Sequence, residues 1–309
     1  MLDSLDKHLQ KLMPIFTPLS LVMGVMLEGI GSQLLFIVPW LFAFMTFSGS
    51  LSMNLKGIKT LKQYPGAILI TIAFLHILMP LWAYFISTVI FNDHLLTIGF
   101  VLAVALPTGV TSFIWVSICK GHLALCLSII LIDTLLSPFV IPALLHIVVG
   151  QTIEIDTASL VFDLLWMIVL PSIAGILLNE LTKGNIQETL GKKLAPFSKL
   201  SLFCIVMINS SAIAPYVKSI TWELVSVIVV VFLLAVSGYA ICLIVGRFIW
   251  TEMAIVTTFV FTGGMRNIAV GVVIATTYFP AKTVMPVVFG MLFQQVLASF
   301  FSRFILKRM

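Results

Sequence analysis

Two charged side chains fall deep inside long apolar runs of this chain: Arg266 and Asp133. A charge at the centre of a bilayer costs at least about 2.5–3.5 kcal/mol on insertion scales, so each needs a partner or a task. Arg266 has the planar fork that grips a carboxylate or sulfonate with two hydrogen bonds, which would suit an anionic substrate. Alternatively, it is a structural arginine satisfied by backbone carbonyls. Asp133 could carry a coupling proton, or form a static ion pair with Arg266.

Both charges lie near stretches that should interrupt a helix. Pro107-Thr108-Gly109 sits in the middle of one apolar run and Thr262-Gly263-Gly264 in another. Proline lacks the backbone N–H and glycine loses conformational freedom, so both disfavour helix interiors. A break at membrane depth survives only where protein buries it or it lines a cavity, and its free helix ends then bind ions. The bland alternative is that these residues only kink or closely pack helices. Thr108, Thr111 and Ser112 add donors at the first break; Asn267, Gln294 and Gln295 follow the second. These seven residues, with Arg266 counted among them, are the candidate substrate contacts. Residues 107–116 align without gaps on residues 261–270, with Thr, Gly, Ile and Val coinciding at an offset of 154. The expected organisation is therefore two five-helix repeats, 1–154 and 155–309. An odd number of spans per repeat inverts the second relative to the first.

The elements that must hold these residues are transmembrane helices. The 309 residues are 61% hydrophobic and 9% charged, against about 25% charged in soluble domains. Mean hydropathy is +1.18. In lipid the backbone must satisfy itself, and the apolar runs do not alternate at period two, so an all-α polytopic fold is expected. The spans read as 14–29, 34–52, 66–91, 97–119, 123–149, 159–179, 198–217, 221–246, 253–277 and 283–304. With both termini cytoplasmic, fourteen positive residues fall inside: Lys7, Lys11, Lys56, Lys59, Lys62, Lys120, Lys183, Lys192, Lys193, Lys199, Arg247, Arg303, Lys307 and Arg308. Only Lys218 and Lys282 fall outside, the asymmetry that sets orientation in the cytoplasmic membrane. The net charge of +5 is spread over these loops and does not suggest nucleic acid. Residues 1–13 are polar with mixed charge and lack a signal-peptide layout. Cys119, Cys126, Cys204 and Cys242 show no metal or redox spacing. No HExxH, GxSxG or phosphate-binding loop occurs, so no enzymatic activity, nucleotide or cofactor is expected.

The chain resembles the bile acid:sodium symporter family. Residues 44–51 resemble its MFxMGL segment, and Ile77-Leu78-Met79-Pro80 its IMP. Pro107 to Gly121, continuing to Leu135-Leu136-Ser137-Pro138, resembles its PGGTASN…LLAP region. Gly264-Met265-Arg266-Asn267 resembles its EVGMQN, and Pro286 to Gln295 the start of its tenth helix. The resemblance implies a core of helices three to five and eight to ten, with the fourth and ninth broken and crossing. A panel of helices one, two, six and seven would pack beside it, and transport would proceed by alternating access. It also implies that Asn267 touches substrate. Yet the family's sodium ligands are mostly missing. Of the corresponding positions Leu75, Ser112, Phe113, Cys126, Ile130, Thr262 and Arg266, few offer an oxygen, and sodium is a hard cation that wants several. A second reading of Arg266 is that its guanidinium stands where sodium would. Cys126, Ile130 and Asp133 share one face of the fifth helix, turned toward that site. His76, next to Leu75, is expected to make a local helix contact. The expected function is transport of a small organic anion (bile-acid-like, keto or hydroxy acid, or pantoate-like), not coupled to sodium at these positions and open to proton coupling. The alternative is a non-transporting receptor or scaffold on the same fold.

Overall fold

The computed structural model describes residues 2–53, 60, 62–149, 156–218 and 221–306. They form an all-α polytopic membrane protein; the only strand-like pairing among them is one isolated antiparallel bridge. Among the described residues, ten helical segments, two of them interrupted, follow in order. They are α1 (Leu2–Met26), α2 (residues 28–50), α3 (Pro65–Phe91), α4a (His94–Ala105) with α4b (Ser112–Ile118), and α5 (Leu123–Val149). Then come α6 (Thr157–Leu181), α7 (residues 187–217), α8 (Trp222–Ile249), α9a (Met253–Gly264) with α9b (Ile268–Tyr278), and α10 (Ala281–Leu306). Seven helices are long and apolar enough to cross a bilayer by length and composition, while α4a, α9a and α9b are the shorter apolar pieces. Of the inward-facing positive set, Lys56, Lys59, Lys307 and Arg308 lie outside the described residues, as does the expected repeat boundary at 154/155.

Two boundaries differ from the hydropathy reading. Helix α1 begins at Leu2 rather than residue 14, and α7 begins at Gln187 rather than 198. In both cases about three turns continue the helix beyond its apolar stretch, which a hydropathy window cannot see.

Local chemistry sets several ends. Asp93 caps α4a by accepting from Leu96 N–H at 3.0 Å, Asp156 caps α6 through Ala158 and Ser159, and Thr221 caps α8 through Leu224. Each satisfies an orphan donor of the first turn. Helix α3 contains a π turn at Phe74–Leu78, a one-residue excess that rotates the following side chains out of α-helical register.

Helices α1, α2, α6 and α7 pack on one another, and α3, α4, α5, α8, α9 and α10 form a second group. Among the core helices, starts recur at a similar spacing: Pro65 to Trp222 is 222 − 65 = 157, His94 to Met253 is 253 − 94 = 159, and Leu123 to Ala281 is 281 − 123 = 158.

Candidate functional site: the crossing of the broken helices

Both interruptions are real breaks. The residues ending α4a and α9a, Leu106 and Met265, are extended (φ/ψ −67/151 and −105/129). The two extended stretches meet as an antiparallel bridge centred on Thr108 and Arg266. Gly109 N–H donates to Met265 C=O (3.1 Å) and Asn267 N–H to Pro107 C=O (2.7 Å). Glycine is required at 109: a Cβ there would stand 2.9 Å from Arg266 O, a backbone atom with no freedom to retreat. The Thr108 hydroxyl adds a third tie, donating to Thr262 C=O (3.0 Å).

Four helix ends converge here, and their charges sort by sign. The C-terminal ends of α4a and α9a present unpaired carbonyls, the negative pole of each helix. Arg266 serves both: Nε donates to Val104 C=O (2.8 Å) and Nη1 to Gly263 C=O (2.5 Å). The side chain is 5% exposed. A tethered guanidinium thus neutralises the two carbonyl ends, the task an inorganic cation could do.

Asp133 binds the break itself. Its Oδ2 accepts from Thr108 N–H (2.6 Å), and its Oδ1 lies 2.5 Å from His76 Nε2. Asp133 is fully buried and His76 is 5% exposed. Of the two readings of Asp133, the direct pair with Arg266 does not form: the two charges have separate partners, although they remain within electrostatic reach. His76 also departs from expectation: it reaches α5 instead of making a local contact. It lies within the π turn, whose altered register turns it toward Asp133 in place of its neighbour Leu75.

The remaining site residues divide into two groups. Thr108 and Ser112 are buried and committed internally, Ser112 Oγ lying 3.7 Å from Cys126 Sγ. Gln294 accepts from Arg266 N–H (3.0 Å), and Gln295 accepts from Trp115 Nε1 (3.1 Å), a partner that no sequence signal marked. Thr111 and Asn267, by contrast, are half-buried at the starts of α4b and α9b. Asn267 occupies the N-cap of α9b without a side-chain cap bond. Among the described residues, the N–H groups of Ile268 and Ala269 meet no acceptor, while Val270 N–H returns to Asn267 C=O. An apolar crevice beside the crossing is lined by Met79, Phe100, Gly238, Gly264 and Tyr239, with Arg266 and Gln294 as its polar members.

The donor set does not suit sodium. Leu75, Phe113 and Ile130 bring no side-chain oxygen, and Cys126 brings a thiol in its place. The Thr262 hydroxyl is turned onto Thr258 C=O (2.8 Å), and the carbonyls of Val104 and Gly263 already serve the guanidinium. Among the described residues no cluster of His, Cys, Asp or Glu could hold a metal ion.

Two broken helices crossing inside an apolar helical bundle are an arrangement found in membrane transporters. The chain belongs to the sodium bile acid symporter family, whose model matches residues 39–220. Members of that family are transporters rather than enzymes. YbaS of Bacillus subtilis (strain 168), described as an uncharacterized protein, is 43% identical over 302 residues, 96% of this chain and 99% of the relative. YocS of the same organism, described as an uncharacterized sodium-dependent transporter, is 24% identical over 85% of this chain and 82% of its own. The chloroplastic probable sodium/metabolite cotransporter BASS1 of Oryza sativa subsp. japonica is 25% identical over 74% of this chain and 55% of its own.

Proposed function

We propose that this protein is a secondary transporter of a small organic anion in the cell membrane, with both termini cytoplasmic, driven by protons and not by sodium at the family's usual positions. Core helices 3–5 and 8–10 move against a panel of helices 1, 2, 6 and 7, as two inverted five-helix repeats allow. The observation that carries the anion reading is the start of α9b. Its first amides have no acceptor among the described residues, and the positive end of an eleven-residue helix favours a carboxylate. Thr111 and Asn267 flank the carboxylate, with Gln294 and Gln295 behind them. Arg266, Thr108 and Ser112 build the site without touching the substrate. Compact keto, hydroxy or pantoate-like acids suit this set of hydrogen-bonding groups better than a bile-acid-like sterol.

Charge balance supports proton coupling. The buried groups that face one another are Asp133 from α5, His76 from α3 and Arg266 from α9, with the weakly acidic Cys126, Tyr239 and Cys242 around them. Arg266 brings a fixed positive charge beside the Asp133–His76 pair, and a proton taken up by that pair adds one positive charge, which a monoanionic substrate neutralises. Proton and substrate therefore favour each other's presence in a water-poor core.

The test is uptake of labelled monocarboxylates into proteoliposomes under an inward acid gradient, comparing wild type with Asp133→Asn. Wild type should accumulate an acid in proportion to the gradient, and the variant should equilibrate without accumulating. An unchanged pH response in the variant removes the coupling role.

A further inference from the structure

The helices that follow the two breaks, α4b and α9b, hold corresponding places on opposite sides of the crossing, yet they are packed differently. Helix α9b packs on α2 and α7 of the panel as well as on α10, and Ile268 through Ala275 are all buried. Helix α4b packs on α5, α9a and α10, which all belong to the core. Of its residues only Ser112 and Val116 are buried, while Ser117 and Ile118 are exposed. Buried apolar surface thus holds α9b against the panel, and α4b lacks that hold.

A polar tie lies at the far end of the closed half. Tyr278, the last residue of α9b, donates its hydroxyl to Asp163 Oδ2 of α6 at 2.6 Å. This bond joins core to panel. The ion pairs near that end each stay within one group: Lys282 of α10 meets Asp93 and Glu223 of the core, and Lys218 after α7 meets Glu28 of the panel. Tyr278 stands four residues before Lys282, at the end expected to face outward. Both Tyr278 and Asp163 are half-buried.

We infer that the structure shows the inward-facing state of the transport cycle, its outer passage closed by α9b on α2 and α7 and latched by Tyr278 on Asp163. The inference rests on the orientation and the core–panel motion proposed above, and adds which side is shut and what holds it. As the core moves, this bond breaks and α4b takes up packing against the panel in place of α9b. One neutral donor on a half-buried carboxylate is weak enough to break in each cycle, unlike a buried ion pair.

The test reads which side of the membrane reaches the crossing, and it needs no substrate. Thr111→Cys places a thiol at the start of α4b in a Cys204→Ser background; the other three cysteines are buried. A membrane-impermeant methanethiosulfonate is applied to right-side-out and inside-out vesicles, and the thiol should react faster from the inner side. Adding Tyr278→Phe, which removes only the hydroxyl, should raise the outer rate about 5-fold, the worth of one hydrogen bond of ordinary strength. Asp163→Ala should do the same from the panel side, whereas Asp163→Asn, which still accepts the bond, should change little. Equal outer rates with and without the hydroxyl overturn the latch. A thiol reached faster from outside in the latch-intact protein overturns the inward-facing assignment. If labelling follows the expected pattern while the monocarboxylate uptake assay above fails, the latch stands and the transport reading falls.

Discussion

Replacing Arg266 by glutamine removes the group that joins the two carbonyl ends. Two charge-assisted hydrogen bonds are lost, to Val104 C=O and Gly263 C=O, both buried. At about 1.5–3 kcal/mol each, the loss is about 3–6 kcal/mol. Asp133 is left as a buried charge without its compensating cation, which adds to the penalty. At about 2–4 °C per kcal/mol for chains of comparable size, the expected drop in unfolding temperature is on the order of 10 °C or more. The assay is thermal unfolding of the detergent-purified protein, read by tryptophan fluorescence. Arg266→Lys should recover at most half of the loss, because a point ammonium cannot span two carbonyls as the fork does. Adding Asp133→Asn to Arg266→Gln should relieve the charge imbalance and leave the carbonyl loss. An Arg266→Gln protein that unfolds within about 2 °C of wild type would refute the reasoning, since the carbonyl ends would then be content without a cation.

Two further outcomes follow from the same geometry. Gly109→Ala forces a methyl against Arg266 O at 2.9 Å in a backbone that cannot yield; a destabilisation of about 1–3 kcal/mol and loss of transport are expected, measured by unfolding and uptake. At the outer end, partial burial would raise the Asp93 carboxyl, but Lys282 at 2.7 Å and the Leu96 N–H outweigh it and hold the carboxyl below its ordinary value. Its stabilising contribution is therefore present above about pH 3.9, the unfolded value, and fades as pH falls through the lower folded value. Asp93→Asn should accordingly lower the unfolding temperature at pH 7 and lose that effect in strong acid; an equal deficit at both pH values would assign the effect to the cap alone.

The first break was legible because Pro107 has no N–H to donate and Gly109 disfavours helix; Gly263 and Gly264 instead end α9a as helical residues packed against Cys242 and Tyr239, and the second break falls on Met265 to Asn267. The helical segments were legible from apolar length, seven of them long and apolar enough to cross a bilayer among the described residues. That Arg266 could be satisfied by backbone carbonyls was one reading of the sequence; that the carbonyls are those of Val104 and Gly263 was not legible, since any residue could have supplied them. A static pair with Asp133 was one of two readings of that carboxylate, and the crossing geometry gives the two charges separate partners. His76 was misread because a π turn is invisible to a 3.6-residue periodicity, yet that turn places it on Asp133.

The most direct measurement is initial uptake of a small organic acid into proteoliposomes at fixed pH gradient, with sodium chloride replaced by choline chloride on both sides. A guanidinium that already neutralises the carbonyl ends predicts rates that agree within about twofold in the two salts. A collapse of uptake when sodium is withdrawn would contradict the account.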